Sequence, residues 1–404
     1  MIFWVCFLIS SLLIAINKKI IICGIYRTHS INVPAIIGVL LLAFLAGIRS
    51  IDIGTDTSGY YLYFSAINDS NSISEVFSND YLNRVGLEPG FRILIFLVSR
   101  FSKDFHFFCF IVALLIESAA YLFCVKMYKK NFSNYSWLLF LSFNVLLYGR
   151  FLNQMRQGLG ISIVFLAVSY LVEKRYIKYV VLGLIAGTIH YSAFLAVVIL
   201  FCLFVYINRG KKIELRKNRS YSIIVVSILV LWFFPNLIYA IIKMLGDYSA
   251  FLDQYFSSNI KFSYVIFLVR LPLFALSVIF AKQARKIDSY YDMYLCMNAL
   301  DLILTLWASG TQLERIAFYF YFAKVMLIAD ICISMYNTKP KPIINGSVCN
   351  SGVLTIKLKS KRDAVIITIF VLFVYWWIYN SLNLYGFVKP IYPFKAYFSD
   401  SLWY

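Results

Sequence analysis

Six arginines stand in short polar clusters between long apolar runs: Arg49, Arg84, Arg92, Arg150, Arg156 and Arg315. The clusters are GIRSIDIGTDTSGYY (47–61), YLNRVGLEPGFR (81–92), GRFLNQMRQGLG (149–160) and GTQLERI (310–316), joined by GTIHYSA (187–193) and the tail KPIYPFKAYF (389–398). A guanidinium is a planar fork of donors that matches phosphate oxygens two at a time. Nothing here resembles a P-loop, so a lipid-linked pyrophosphate suits these arginines better than a nucleotide. Arg49, at the end of an apolar run, equally suits snorkelling to headgroups. Arg156 is flanked by Gln154 and Gln157, which favours a binding role. In one continuous helix Arg150 and Arg156 would stand about 9 Å apart along the axis and about 120° apart around it, so they need not touch the same phosphate. Arg270, inside FLVRLPLF, is an intramembrane charge and functional by default, with Asp301 or Glu117 as the partner if its role is structural. Lys324 and Asp330, six apart, also fit bundle glue.

For proton transfer the sequence offers one histidine in a polar setting and a few acids. His190, between two apolar half-spans and beside Tyr191 and Ser192, suits a general base or a hydrogen-bonding group for substrate. Asp52 and Asp56 form either a carboxylate pair or a GTDT turn whose side chains cap backbone amides. Glu88 precedes Pro89-Gly90, and Glu314 either acts as an acid or neutralises Arg315. Tyr60, Tyr61 and Tyr63 offer stacking faces for sugars, although aromatics also belong at membrane interfaces. The eight cysteines are scattered with no CxxC pair. No metal site, disulfide framework or cofactor motif is indicated.

These residues must be positioned by elements that live in lipid. Of 404 residues, 61% are hydrophobic and 14% charged, with a mean hydropathy of +0.77, against roughly half and a quarter in soluble domains. Apolar runs recur along the whole chain and are apolar on every face, which predicts helices, not barrel strands. The expected fold is an all-α polytopic membrane protein forming one transmembrane domain over 1–404. About twelve transmembrane helices are expected near 1–16, 33–48, 104–125, 135–149, 156–172, 177–189, 190–207, 220–244, 263–281, 291–309, 316–336 and 364–380. Residues 1–16 lack a basic n-region and a cleavage site, and so read as a retained span. Residues 90–101 are too short to cross and read as a re-entrant or interfacial helix.

With both termini outside, the cytoplasmic loops hold 24 of the 38 lysines and arginines, as the positive-inside rule asks. The net charge of +19 therefore marks orientation and membrane lipid, not nucleic acid. Residues 337–363 form a basic cytoplasmic loop suited to anionic lipid. Residues 49–89 form an external loop, and all the polar clusters fall on its side.

In order along the chain, GIRSIDIGTDTSGYYLYF, LEPGFRIL, NQMRQGLGISI, IHYSAFLAV and a late ER resemble the EpsG branch of the Wzy-like polysaccharide polymerases. The resemblance implies a GT-C-like fold and an inverting, metal-independent glycosyl transfer without cofactors. By the same resemblance it would join undecaprenyl-pyrophosphate-linked oligosaccharides of O-antigen, capsule or exopolysaccharide outside the bacterial cytoplasmic membrane; a chain-length-regulating protein would be a further partner, which the residues themselves do not show. The carry-over falls on Arg49, Asp52, Gly54, Asp56 and Tyr60, on Glu88, Pro89 and Gly90, on Arg156 and Gln157, and on His190. The catalytic base is left open among His190, Asp52, Asp56 and Glu314. Arg49, Tyr60, Glu88, Arg150, Arg156, Gln157, Arg270 and Arg315 are the expected substrate-binding set. The rival readings are a glycan ligase, which would want one large external loop, and a flippase, which would line a path through the bundle with charge. A membrane O-acyltransferase would want its histidine on the opposite side.

Overall fold

A backbone in lipid has no water to bond to and must satisfy its amides within its own segment. The apolar runs accordingly close into helices. The structure, a computed structural model, describes residues 2–16, 19–23, 28–131, 135–209, 213–233, 264–308, 314–336, 360–382, 394–395 and 402–403. Five of its helical segments are long and apolar enough to cross a membrane: Phe105–Met127, Met155–Val172, Tyr264–Ile287, Arg315–Tyr336 and Lys361–Ser381. Shorter apolar helices are Ile2–Ile16, Val33–Gly47, Tyr176–Ile189 and Ser192–Asn208. The sequence expectation of about twelve spans counted such shorter runs as well. The expected span 220–244 is described only to residue 233, and residues 337–359 of the basic loop lie outside the described residues.

The chain divides into two compact units, Met1–Leu200 with Phe373–Tyr404, and Phe201–Leu372. Unit 1 opens with α1 (Ile2–Ile16) and α2 (Val33–Gly47). Between them β1 (Lys19–Cys23) pairs antiparallel with β2 (Thr28–Asn32). Hydrophobicity does not drive helices together in lipid, so small residues that allow close approach take over. Here Ser10 donates its hydroxyl to the carbonyl of Gly38 at 2.9 Å, seating α1 on α2. The expected external loop is itself helical, with α3 (Thr57–Asn68), α4 (Ile73–Ser78) and α5 (Asp80–Arg84). It leads into α6 (Pro89–Phe101), the helix expected over 90–101. One face of α6 buries Phe91, Arg92, Ile95 and Val98, while Leu97 and Phe101 are exposed. That two-sidedness suits an interface better than a span.

The central pillar is α7 (Phe105–Asn131), packed against α2 and against α10 (Met155–Val172). Before α10 the chain forms α8 (Ser136–Phe143), a π-helical turn over Asn144–Tyr148, and α9 (Gly149–Asn153). At Gln154 the helix breaks, with φ −99° and ψ 62°. Arg150 and Arg156 therefore stand on different helices, and the separation that one continuous helix would give them does not apply. Next, α11 (Tyr176–Ile189) and α12 (Ser192–Asn208) meet at an elbow whose first residue, His190, is extended at φ −152° and ψ 114°.

Unit 2 contains α13 (Ile213–Phe233), α14 (Tyr264–Ile287), α15 (Tyr291–Ala308), the short α16 (Glu314–Ala317) and α17 (Tyr321–Tyr336). Helices α14, α15 and α17 pack on one another pairwise. The chain leaves through α18 (Lys361–Ser381) and ends with a minimal strand pair, β3 (Phe394–Lys395) and β4 (Leu402–Trp403).

Candidate functional site

Glu88 sits at the N-cap of α6, with Pro89 opening the helix. A polar residue there ordinarily turns back onto the helix's own amides. Glu88 makes no such bond and reaches instead across to two other elements. Its Oε2 accepts from Nη1 of Arg156 at 2.5 Å, and its Oε1 lies 2.7 Å from Nδ1 of His190. Three residues from α6, α10 and the α11–α12 elbow thus converge. The carboxylate is nearly sealed, its side chain 5% exposed, while Arg156 and His190 remain open at 23% and 17%.

Local sequence explains the convergence. A Cβ on Gly90 would stand 2.5 Å from Thr188 Oγ1 and 2.9 Å from the Thr188 carbonyl carbon and oxygen. Only a residue without one lets the start of α6 touch the end of α11, which brings Glu88 within reach of His190. Ahead of Glu88 the buried Arg92 clamps the approach loop. Its Nε donates to Leu87 O at 2.7 Å, Nη1 to Asn83 Oδ1 at 2.7 Å and Nη2 to Leu82 O at 2.8 Å.

Aromatic rings enclose the guanidinium of Arg156, which lies 5.7 Å from the Tyr60 ring centre and 5.9 Å from that of Tyr63, within cation–π range. Tyr60 is 4% exposed, so it supports Arg156 more than it offers a face to sugar. Tyr61, and Tyr191 beside His190, are the exposed rings of this region. Burial raises the pKa of the Tyr60 hydroxyl despite the pull of Arg156, so it stays protonated. For Glu88, burial pushes the pKa up, but the His190 hydrogen bond and the Arg156 charge outweigh it and hold the carboxyl below its ordinary range.

The first cluster folds over this site through a residue the sequence reading passed over. Asn153 Oδ1 accepts from the amide of Asp56 at 2.8 Å, and its Nδ2 donates to Thr55 Oγ1 at 2.8 Å. Gly54, at φ +93°, leaves room for it, since a Cβ there would meet Asn153 Oδ1 at 2.6 Å. The neighbouring motif GRFLNQMR contained this asparagine, but nothing in one sequence pairs it with GTDT. Asp56 caps α3 without a side-chain bond to the helix, and its charge reaches Tyr60 and Tyr63. In the GTDT turn the Thr57 hydroxyl donates to Ile53 O at 2.6 Å, a bond to a carbonyl where the turn reading expected side chains capping amides.

The remaining expected residues stand as follows in the two units. Arg49 is 2% exposed, with its Nη atoms on Ala46 O at 3.0 Å and Leu152 O at 2.8 Å. It ties the end of α2 to the α9–α10 break. Asp52 is exposed on the turn that follows, Arg150 is half-buried on α9, and Gln157 is buried in α10. Arg270 belongs to unit 2 and pairs with Asp301 at 2.9 Å, the first of the two partners expected. Lys324 holds the other oxygen of Asp301. Arg315 is half-buried on α16, also in unit 2, and the Glu314 side chain lies outside the described residues. No group of three or more metal-ligating side chains occurs among the described residues.

Long apolar helices and an arginine–carboxylate–histidine constellation built from their ends define a multi-pass membrane protein with a polar site. The model of the EpsG family matches residues 32–396, and the chain belongs to that family. Every converging residue lies inside the match. No curated protein and no solved structure matches the chain. Membership points to a role in polysaccharide polymerisation.

Proposed function

We propose that this chain is a glycosyltransferase that joins undecaprenyl-pyrophosphate-linked repeat units into a polysaccharide at the extracytoplasmic face of the bacterial cytoplasmic membrane, by inverting, metal-independent transfer in a GT-C-like fold. The observation that carries the reading is Glu88 held between Arg156 and His190. With Nδ1–H donated to the carboxylate, Nε2, the ring nitrogen on the far side from Glu88, is the base in this reading. In the reaction a hydroxyl oxygen of the acceptor sugar attacks the anomeric carbon of the donor glycan. The bond from that carbon to the diphosphate oxygen breaks, the hydroxyl proton passes to Nε2, and the polyprenyl diphosphate leaves. Arg156, locked by Glu88 and the tyrosine rings, is aimed where charge develops on the leaving group. Asp56 borders the acceptor side. Arg150 is a further phosphate ligand in this reading, and a chain-length-regulating protein is its natural partner.

The test is the purified chain with synthetic lipid-linked repeat units. A ladder of products with release of polyprenyl diphosphate is expected. Transfer of a single glycan to another lipid without a ladder would instead make it a ligase. Accumulation of single units on the cytoplasmic leaflet of cells lacking the chain would make it a flippase.

A further inference from the structure

Asp56 stands at the N-cap of α3, where an aspartate ordinarily bonds its side chain to the helix's own amides. It makes no such bond. Its carboxylate is oriented instead by a closed ring of hydrogen bonds through Asn153. The Asp56 amide donates to Asn153 Oδ1 at 2.8 Å, which leaves the Nδ2 end of that carboxamide to donate to Thr55 Oγ1, also at 2.8 Å. With its oxygen accepting there, the Thr55 hydroxyl donates to Asp56 Oδ1 at 3.0 Å. The other carboxylate oxygen, Oδ2, has no partner among the described residues. Asn153 is buried, Asp56 half-buried and Thr55 exposed.

The ring is anchored on both sides. Asn153 closes α9, and the carbonyl of Leu152 before it accepts from the buried Arg49 at 2.8 Å. Beyond the break at Gln154, Arg156 stands in the first turn of α10. Asp56, Tyr60 and Tyr63 fall at i, i+4 and i+7, and so share one face at the start of α3. The two rings lie 5.7 and 5.9 Å from the Arg156 guanidinium, which puts the acid one turn away from the group that grips the diphosphate in the proposed reaction. An ionised carboxylate only accepts hydrogen bonds, and a sugar hydroxyl donates them. We infer that Asn153 and Thr55 are positioning residues that hold Asp56 with its second oxygen free for a hydroxyl of the acceptor sugar, an assignment that rests on the glycosyl transfer proposed above. Asp56 then holds the sugar while His190 takes the proton. Such a bond forms on binding and persists into the transition state, so it lowers KM without raising kcat.

The experiment measures initial rates of the purified full chain in detergent against the concentration of synthetic lipid-linked repeat unit, with thermal unfolding in parallel. Thr55→Val keeps the shape of an exposed side chain and removes its hydroxyl. It should raise KM about fivefold or more, with kcat within about twofold of wild type and the unfolding midpoint in place. Thr55→Ser restores the hydroxyl and should recover most of the loss. Asp56→Ala should raise KM about tenfold or more. Thr55→Val added to Asp56→Ala should cost less than about a further twofold, because nothing is left to orient. Asn153→Ala should match Thr55→Val in its kinetics; if that variant, which strips two bonds from a buried side chain, fails to fold, the two Thr55 variants carry the test. A fully additive loss in the double variant, or no recovery by Thr55→Ser, would overturn the inference. So would a fall in kcat at unchanged KM in Asp56→Ala, which would make this acid the base in place of His190. Thr55→Val kinetics equal to a wild type that builds the ladder would overturn this inference alone, whereas a wild type without a ladder would overturn the proposed function with it.

Discussion

Replacing Glu88 by Gln keeps the shape of the side chain and removes its charge, and the consequence follows from the two groups it faces. Arg156 Nη1 at 2.5 Å and His190 Nδ1 at 2.7 Å both donate to the carboxylate. A carboxamide offers one acceptor and one donor end, so it cannot receive both. If its oxygen faces Arg156, its NH2 meets Nδ1, and the imidazole must move its proton to Nε2 to accept. That tautomer has no lone pair left for the acceptor sugar. Loss of general-base assistance costs about 10²–10⁴-fold in rate. Each charge-assisted hydrogen bond contributes about 1.5–3 kcal/mol, and with Arg156 and His190 partly open the expected destabilisation is at the low end, about 2 kcal/mol. The assay is polymerisation by purified protein on lipid-linked units, with thermal unfolding measured in parallel. The rate should fall at least a hundredfold while the protein still folds and inserts. A Glu88→Gln enzyme working within fivefold of wild type would refute the claim that this carboxylate sets the histidine tautomer.

Arg156→Ala should abolish the ladder, and Arg156→Lys should recover little of it, because an ammonium is a point charge and cannot fork onto two oxygens; full rescue by lysine, read in the same assay, would contradict the assignment. Gly90→Ala should lower the rate at least tenfold by pushing α6 off α11, and Thr188→Ala should not restore it, because the clash includes the Thr188 backbone at 2.9 Å. Since the Glu88 pKa is lowered on folding, its contribution to stability is complete above the ordinary carboxylate range and disappears as pH falls through the lower folded value. Unfolding midpoints of wild type and Glu88→Gln should therefore differ by a constant amount at neutral pH and converge only in acid.

The chemistry was legible because charge is costly in lipid: arginines and an isolated histidine among apolar runs stand out by residue type alone. The helix at 90–101 and the elbow at His190 were readable for the same reason, since helical period and hydropathy are local properties, whereas the partner of Arg270 stayed open between Asp301 and Glu117. What a single sequence does not carry is which clusters touch. Glu88 is 68 residues from Arg156 and 102 from His190, and their meeting depends on a glycine-sized gap at Thr188. The break at Gln154 likewise invalidates a spacing argument that assumed a regular helix.

Residue types and their order along the chain determined, before any coordinates, that this is a polytopic helical membrane protein with polar motifs at its helix ends. Tertiary structure alone decided which of those residues work together. It set Glu88 between Arg156 and His190, turned Arg49 to tying α2 to the α9–α10 break, and made Arg270 and Lys324 share Asp301 in unit 2. The physical reason is that hydropathy and helix formation are summed over neighbours in sequence, whereas a charged contact at 2.5–2.7 Å depends on how separate helices pack, and packing is decided by side chains far apart in the chain.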